Sequence, residues 1–95
     1  MIDIVTALAI LPNDPDEIAS RLASESCFGV HENTSCPLAL YLHNKTGEYM
    51  VRISRNYCWR PDQTNWRDIE TELPRAVSEF VDGFDVGRYP FLEKE

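Results

Sequence analysis

The sequence predicts a single small α+β domain: N-terminal helices, an antiparallel β-hairpin and a C-terminal amphipathic helix. Three observations carry this. Leu73, Val77, Phe80, Val81 and Phe84 recur at the three-and-four spacing of one helix face, with Ser78, Glu79, Asp82 and Asp85 opposite. Residues 48–55 alternate, Tyr49, Val51 and Ile53 inward and Met50, Arg52 and Ser54 outward, as a half-buried strand does. The length of 95 residues suffices for one hydrophobic core and not for two.

Taken in chain order, Ile2 to Leu11 fits two periods. Ile4, Val5, Leu8 and Leu11 suit a helix, whereas Ile2, Ile4, Thr6, Leu8 and Ile10 alternate as in a strand; we favour a short helix closed by Pro12. Asp14-Pro-Asp-Glu17 is a helix start, with Asp14 as cap, Pro15 in the first turn and Glu17 completing a capping box. That helix is expected from Pro15 to about Ser26, burying Ile18, Ala19, Leu22 and Ala23, pairing Arg21 with Glu25 on its wet side, and ending as a unit at Gly29. Ser35-Cys-Pro-Leu-Ala-Leu-Tyr-Leu42 reads either as a buried helix capped by Ser35 or as the first arm of a hairpin turning at Asn44-Lys-Thr-Gly47; the helix is the favoured alternative. Residues 48–55 are expected to pair with residues 66–72, because residues 60–65 have turn composition. Pro74 starts the last helix, expected over residues 74–86, and Gly87 with Pro90 ends it. The expected core is Leu22, Leu38, Leu42, Val51, Ile53, Val77, Phe80, Val81 and Phe84.

The net charge is −7, unevenly spread. Residues 1–35 carry six acids and one base, residues 36–67 two acids and five bases, and residues 68–95 eight acids and three bases. The averaged field repels nucleic acid and anionic membranes, and a basic middle lies between acidic arms. Met1 to Leu11 is too short to span a bilayer, contains Asp3 and lacks the basic start of a secretion signal, so a cytoplasmic protein is expected. Cys27, Cys36 and Cys58 are an odd number in a reducing compartment, which argues against a disulfide framework.

The segments Cys36-Pro-Leu-Ala-Leu-Tyr-Leu42, Leu73-Pro-Arg-Ala-Val-Ser-Glu-Phe80 and Phe84-Asp-Val-Gly-Arg-Tyr-Pro-Phe-Leu92, with a strand between the first two, resemble a family of small uncharacterised proteins of actinobacteria and their phages. The resemblance covers about two thirds of the chain. It implies a helical residue 36–43 segment and a small cytoplasmic accessory protein of phage or mobile-element origin, without an assigned activity.

Four chemistries are weighed. Cys36 in a first helical turn, with His31 five residues before it, is the pattern of an activated thiol, but the apolar run that follows reads better as core. Cys27, His31, Cys36, His43 and Cys58 supply soft metal ligands, yet no Cys-x-x-Cys knuckle is present. Glu70, Glu72, Glu79, Asp82 and Asp85 read as a solvated acidic face rather than a phosphate mimic. Arg52, Arg55, Tyr57, Trp59, Arg60, Trp66 and Arg67 combine guanidinium and aromatic groups, the residues enriched at interface anchors and on single-strand nucleic-acid platforms. The acidic balance favours a protein partner, from the host or a second copy as a homodimer, over nucleic acid. A non-enzymatic interaction module without catalytic residues, cofactor or metal is therefore expected.

Overall fold

The computed structural model describes residues 2–32, 34–48, 50–62 and 67–93. Tyr49 and Trp66 lie outside these residues. Among the described residues, four helices and a three-stranded antiparallel sheet make an α+β domain: α1 Ile4–Ala9, α2 Pro15–Ser24, α3 Pro37–Thr46, β1 Arg52–Ile53, β2 Tyr57–Asp62, β3 Arg67–Glu72 and α4 Arg75–Asp85, followed by a 3-10 turn Pro90–Leu92.

The helical period governs the first segment. Asp3 caps α1, its carboxylate accepting the Thr6 N–H at 2.7 Å, and Ile4, Ala7 and Leu8 are buried. Helix α2 begins at Pro15 as the sequence predicts, but Asp14 caps it through its main chain alone: the Asp14 carbonyl accepts the Ile18 N–H at 2.9 Å and no side-chain cap bond forms. An exposed carboxylate has water as a competing partner, so the capping-box pattern does not force the bond.

The end of α2 also differs from expectation. Ser26 takes the left-handed conformation (φ 60), and the Cys27 and Ser26 N–H groups return to the Leu22 and Ala23 carbonyls at 2.9 and 3.0 Å. This is the bonding of a glycine-terminated helix, made by serine. Gly29 serves another purpose: its N–H donates to the Leu92 carbonyl at 2.9 Å, joining the segment after α2 to the chain's last turn.

Residues 37–43 are helical, the favoured alternative. The cap is Cys36, one residue later than expected, because Pro37 with its fixed φ takes the first helical position. Gly47 (φ 74) closes α3, its N–H donating to the His43 carbonyl at 2.8 Å. Tyr41 is fully buried, and its hydroxyl donates to the Ala7 carbonyl at 2.7 Å, locking α3 to α1.

Glu25 ties α2 to α3. Its carboxylate takes Lys45 Nζ at 2.8 Å and Arg21 Nε at 3.0 Å. The bond from Lys45, aided by Arg21 and opposed by burial, holds Glu25 below its ordinary value of 4.5. A lowered folded pKa contributes stability that is fully present above the unfolded value and lost as pH falls through the folded one. Unfolding midpoints followed from pH 6 down to pH 3 are therefore expected to fall less steeply in Glu25→Gln than in the wild type.

The sheet corrects the predicted pairing. Residues 67–72 pair with Tyr57–Asp62, and not with the described part of residues 48–55, where Arg52–Ile53 form the ladder with β2; the order is β1-β2-β3, with β2 central. The cause is a tight reversal directly after β1: the Ser54 N–H donates to the Tyr57 carbonyl at 2.8 Å across Arg55-Asn56. Neighbouring segments close the shortest loop first, which is the least costly in entropy. Residues 60–62, of turn composition, are strand. Pro61 is tolerated there because the two-residue β1 ends at Trp59's partner Arg52, leaving the β1 side of Pro61 without a ladder.

All nine expected core residues are buried, joined by Ile18, Cys27, Tyr41, Cys58, Tyr89 and Leu92. Helix α4 lies on α2, and β1 lies on α3. Ser78, expected to face water, has its hydroxyl between the Arg55 carbonyl and Asn56 Oδ1, the latter 2.9 Å away, and its one proton pins α4 to the β1–β2 turn. The end of α4 follows the sequence: Gly87 (φ 81) and Arg88 donate their N–H groups to the Phe84 and Gly83 carbonyls at 3.0 and 2.9 Å.

Candidate interaction surface

One face of the sheet is turned into the core and the other carries the exposed side chains of Tyr57, Asp68, Glu70 and Glu72. Strand alternation puts Ile53 and Cys58 inward, and Arg52, Tyr57, Trp59 and Pro61 outward with their β3 partners Glu72, Glu70 and Asp68. Trp59 is at the centre of this outer face. The Arg52 guanidinium sits 5.7 Å from its ring centroid, Glu70 Oε1 accepts its indole N–H at 3.1 Å, and the Tyr57 ring lies 6.3 Å away. Arg52 is itself paired with Asp68. The indole is thus held in one orientation by groups on both neighbouring strands, which lowers the entropy lost on binding.

Met50 extends this face. It is 68% exposed, shares a shallow depression with Arg52, Pro61 and Asp68, and has left-handed backbone (φ 59). That conformation costs a non-glycine residue roughly 1–2 kcal/mol.

Of the seven residues singled out from the sequence, the structure brings three together: Arg52, Tyr57 and Trp59. Arg55 lies at the β1–β2 turn, 3.7 Å from Asp82. Arg60 and Arg67 fall on the opposite register of the sheet, Arg60 3.7 Å from Glu48. Trp66 lies outside the described residues. Among the described residues, Arg52, Arg55 and Arg60 each meet a carboxylate. Met50 and Pro61 complete the face instead. The alternation already placed Met50 outward, but Pro61 could not be assigned while its segment was read as a turn.

The cysteines and histidines sit elsewhere. Cys27 and Cys58 are buried, and burial pushes both thiols up, Cys58 to about 11. Burial also raises Cys36, and the N–H groups of Ala39 and Leu38 offset only part of this. His31 stacks flat on Phe84, ring centroids 4.5 Å apart, and its Nε2 is 2.7 Å from Glu93 Oε1. His43 Nδ1 is 2.9 Å from the Glu48 carbonyl oxygen. Among the described residues, no three His, Cys, Asp or Glu side chains are gathered as metal ligands, and no helix is long and apolar enough to cross a membrane.

No protein-family model, curated protein or solved structure matches this chain.

Proposed function

We propose that this chain is a small non-enzymatic interaction module that engages a protein partner through the outer face of its sheet. The observation that carries this reading is the outer sheet face, where exposed Met50 and Tyr57 lie beside a half-buried Pro61 and a held, half-buried Trp59. Aromatic residues and arginine, flanked by polar groups that exclude water, are the usual anchors of protein interfaces. The strain accepted at Met50, whose side chain is mostly exposed, fits a residue kept for contact rather than packing.

Electrostatics favour a protein over nucleic acid and a different protein over a second copy. A phosphate backbone approaching Trp59 would meet Asp68, Glu70 and Glu72, with Arg52 already paired. Two β3 edges joined antiparallel with their outer faces on the same side would set Asp68 against Glu70 or Glu72 of the other copy, a destabilising like-charge arrangement. The reading agrees with an accessory role of the kind implied by the resemblance to small actinobacterial and phage proteins.

The test compares wild type with a Met50→Asp/Tyr57→Asp variant as baits in cell lysate, with sedimentation of each purified protein to detect self-association. A partner or self-complex formed by the wild type and lost by the variant, at unchanged melting temperature, is the expected result. Identical binding by both baits, or no complex with either, would remove the reading. Rapid alkylation of native Cys36 or stoichiometric bound metal would move it to the thiol-enzyme or metal-protein alternative.

A further inference from the structure

The two edges of the sheet are built differently. On one side β1 is two residues long, and Pro61, just past its end on β2, has no N–H to offer a further strand. On the other side β3 is a regular six-residue edge. Its register with β2 runs unbroken from Arg67 to Glu72, without proline, lysine or bulge. Among the described residues, no main-chain bond reaches β3 from outside the sheet, and none of its residues is fully buried. Such an edge presents a row of unpaired N–H and C=O groups, the template on which another strand forms.

The ladder fixes which groups are open. The Leu73 N–H donates to the Asn56 carbonyl at 2.8 Å, so Asn56 and Leu73 extend the β2–β3 register as a hydrogen-bonded pair. Bonded and non-bonded pairs alternate along an antiparallel ladder. Thr71, Ile69 and Arg67 therefore bond to β2, while the N–H and C=O groups of Asp68, Glu70 and Glu72 point to the open edge. The side chains of these same three residues are exposed on the outer face. A strand added antiparallel to β3 sets one residue directly opposite each of them, and its intervening side chains fall beside the half-buried Ile69 and Thr71. Among the described residues Arg52 pairs with Asp68, whereas Glu70 accepts a neutral indole N–H and Glu72 has no cation beside it. Opposite charges placed across from these carboxylates stabilise the pairing and like charges oppose it.

We infer that the β3 edge takes up an extended strand of a different protein, one with lysine or arginine at alternate positions opposite Glu70 and Glu72 and apolar β-branched residues between them. The inference rests on the outer-face reading above and gives that partner its chemistry. Main-chain bonds to Asp68, Glu70 and Glu72 supply the attachment, and the alternation of charge supplies the choice. A second copy is the wrong occupant, because its own β3 brings acids against acids. The carboxylates that keep copies apart are thus the ones that select a basic strand.

Titration of the full chain with acetyl-Thr-Lys-Val-Lys-Val-Lys-Thr-amide, followed by amide hydrogen exchange, tests it. Binding should saturate and slow exchange at Asp68, Glu70 and Glu72, whereas Ile69 and Thr71 are protected before any peptide is added. The same peptide with glutamate for lysine should bind roughly tenfold more weakly or worse. Glu70→Gln/Glu72→Gln, both positions exposed and so compatible with folding, should lose that preference. N-methylation of the peptide's lysine nitrogens, which face β3, should abolish binding, and N-methylation of its valine nitrogens, which face away, should not. Equal binding of the lysine and glutamate peptides, equal binding of the two methylated forms, or binding without slowed exchange at the three amides would overturn the inference; so would saturation by no peptide. Glu72→Pro, which removes one outward N–H and no ladder bond, separates this inference from the reading it rests on. A lysate partner lost by Met50→Asp/Tyr57→Asp and kept by Glu72→Pro would remove the edge and leave the outer face standing. Slowed exchange at the three amides with the lysine peptide supports the edge even where the lysate yields no partner.

Discussion

Gly29→Ala is expected to lower the melting temperature by about 12 °C or more, although it adds one methyl group. A Cβ built on Gly29 would lie 2.3 Å from the Ser35 carbonyl oxygen and 2.8 Å from the Cys36 carbonyl carbon. Those are main-chain atoms, so no rotamer change relieves the clash. The chain must separate at the strand-like bond from Gly29 to Leu92 or at the start of α3. Overpacking costs typically about 1–3 kcal/mol, and rigid neighbours place this site at the upper end. For a domain of this size each 1 kcal/mol moves the midpoint by roughly 4–8 °C. Gly87→Ala is the comparison: a Cβ there would meet nothing within 4 Å, and only the positive φ of 81° resists, at roughly 1 kcal/mol. Equal melting shifts for the two variants would show that the close approach at Gly29 is not the constraint described.

Phe80→Ala is expected to cost about 3–5 kcal/mol, a large share of the roughly 5–15 kcal/mol that stabilises a typical domain. Phe80 is 1% exposed and stacks between Tyr89, 5.3 Å away, and Phe84, 6.4 Å away. It also lines a cleft between α3, β1 and α4, so truncation opens a cavity that neighbouring α4 residues cannot fill without losing their own contacts. Urea unfolding of Phe80→Ala beside Phe80→Leu measures this; an unchanged midpoint in the alanine variant would contradict the core as described.

The parts of the fold that were legible in the chain are those governed by local rules. The α4 stripe, its Gly87 ending and the Pro15 and Pro37 starts follow from side-chain period and from fixed or permissive φ, which depend on neighbours only a few residues away. Strand pairing does not. Arg52–Ile53 and Arg67–Glu72 both fall within segments that read as extended, yet their common partner was hidden in a segment containing Pro61, whose tolerance depends on how short β1 is.

The candidate surface divides in the same way. Residue types pointed to the region of Arg52, Tyr57 and Trp59, but faces follow from register, and the register separated Arg60 and Arg67 from them. Pairing partners were also invisible: Asp68 for Arg52, Glu48 for Arg60 and Asp82 for Arg55 turn an apparently basic patch into one whose charges are largely met.

The sequence by itself determined an α+β class, the Pro15 start of α2, the apolar stripe and all nine core positions named from it, because burial of apolar side chains and backbone preferences act through composition and short-range spacing. Only the tertiary structure decided that Tyr57–Asp62 is the central strand, that Gly29 must lack a side chain, that His31 meets Glu93 and Phe84, and which arginines remain beside Trp59. Each of these depends on atoms brought together from distant positions, where the contact is made by packing and not by any local pattern.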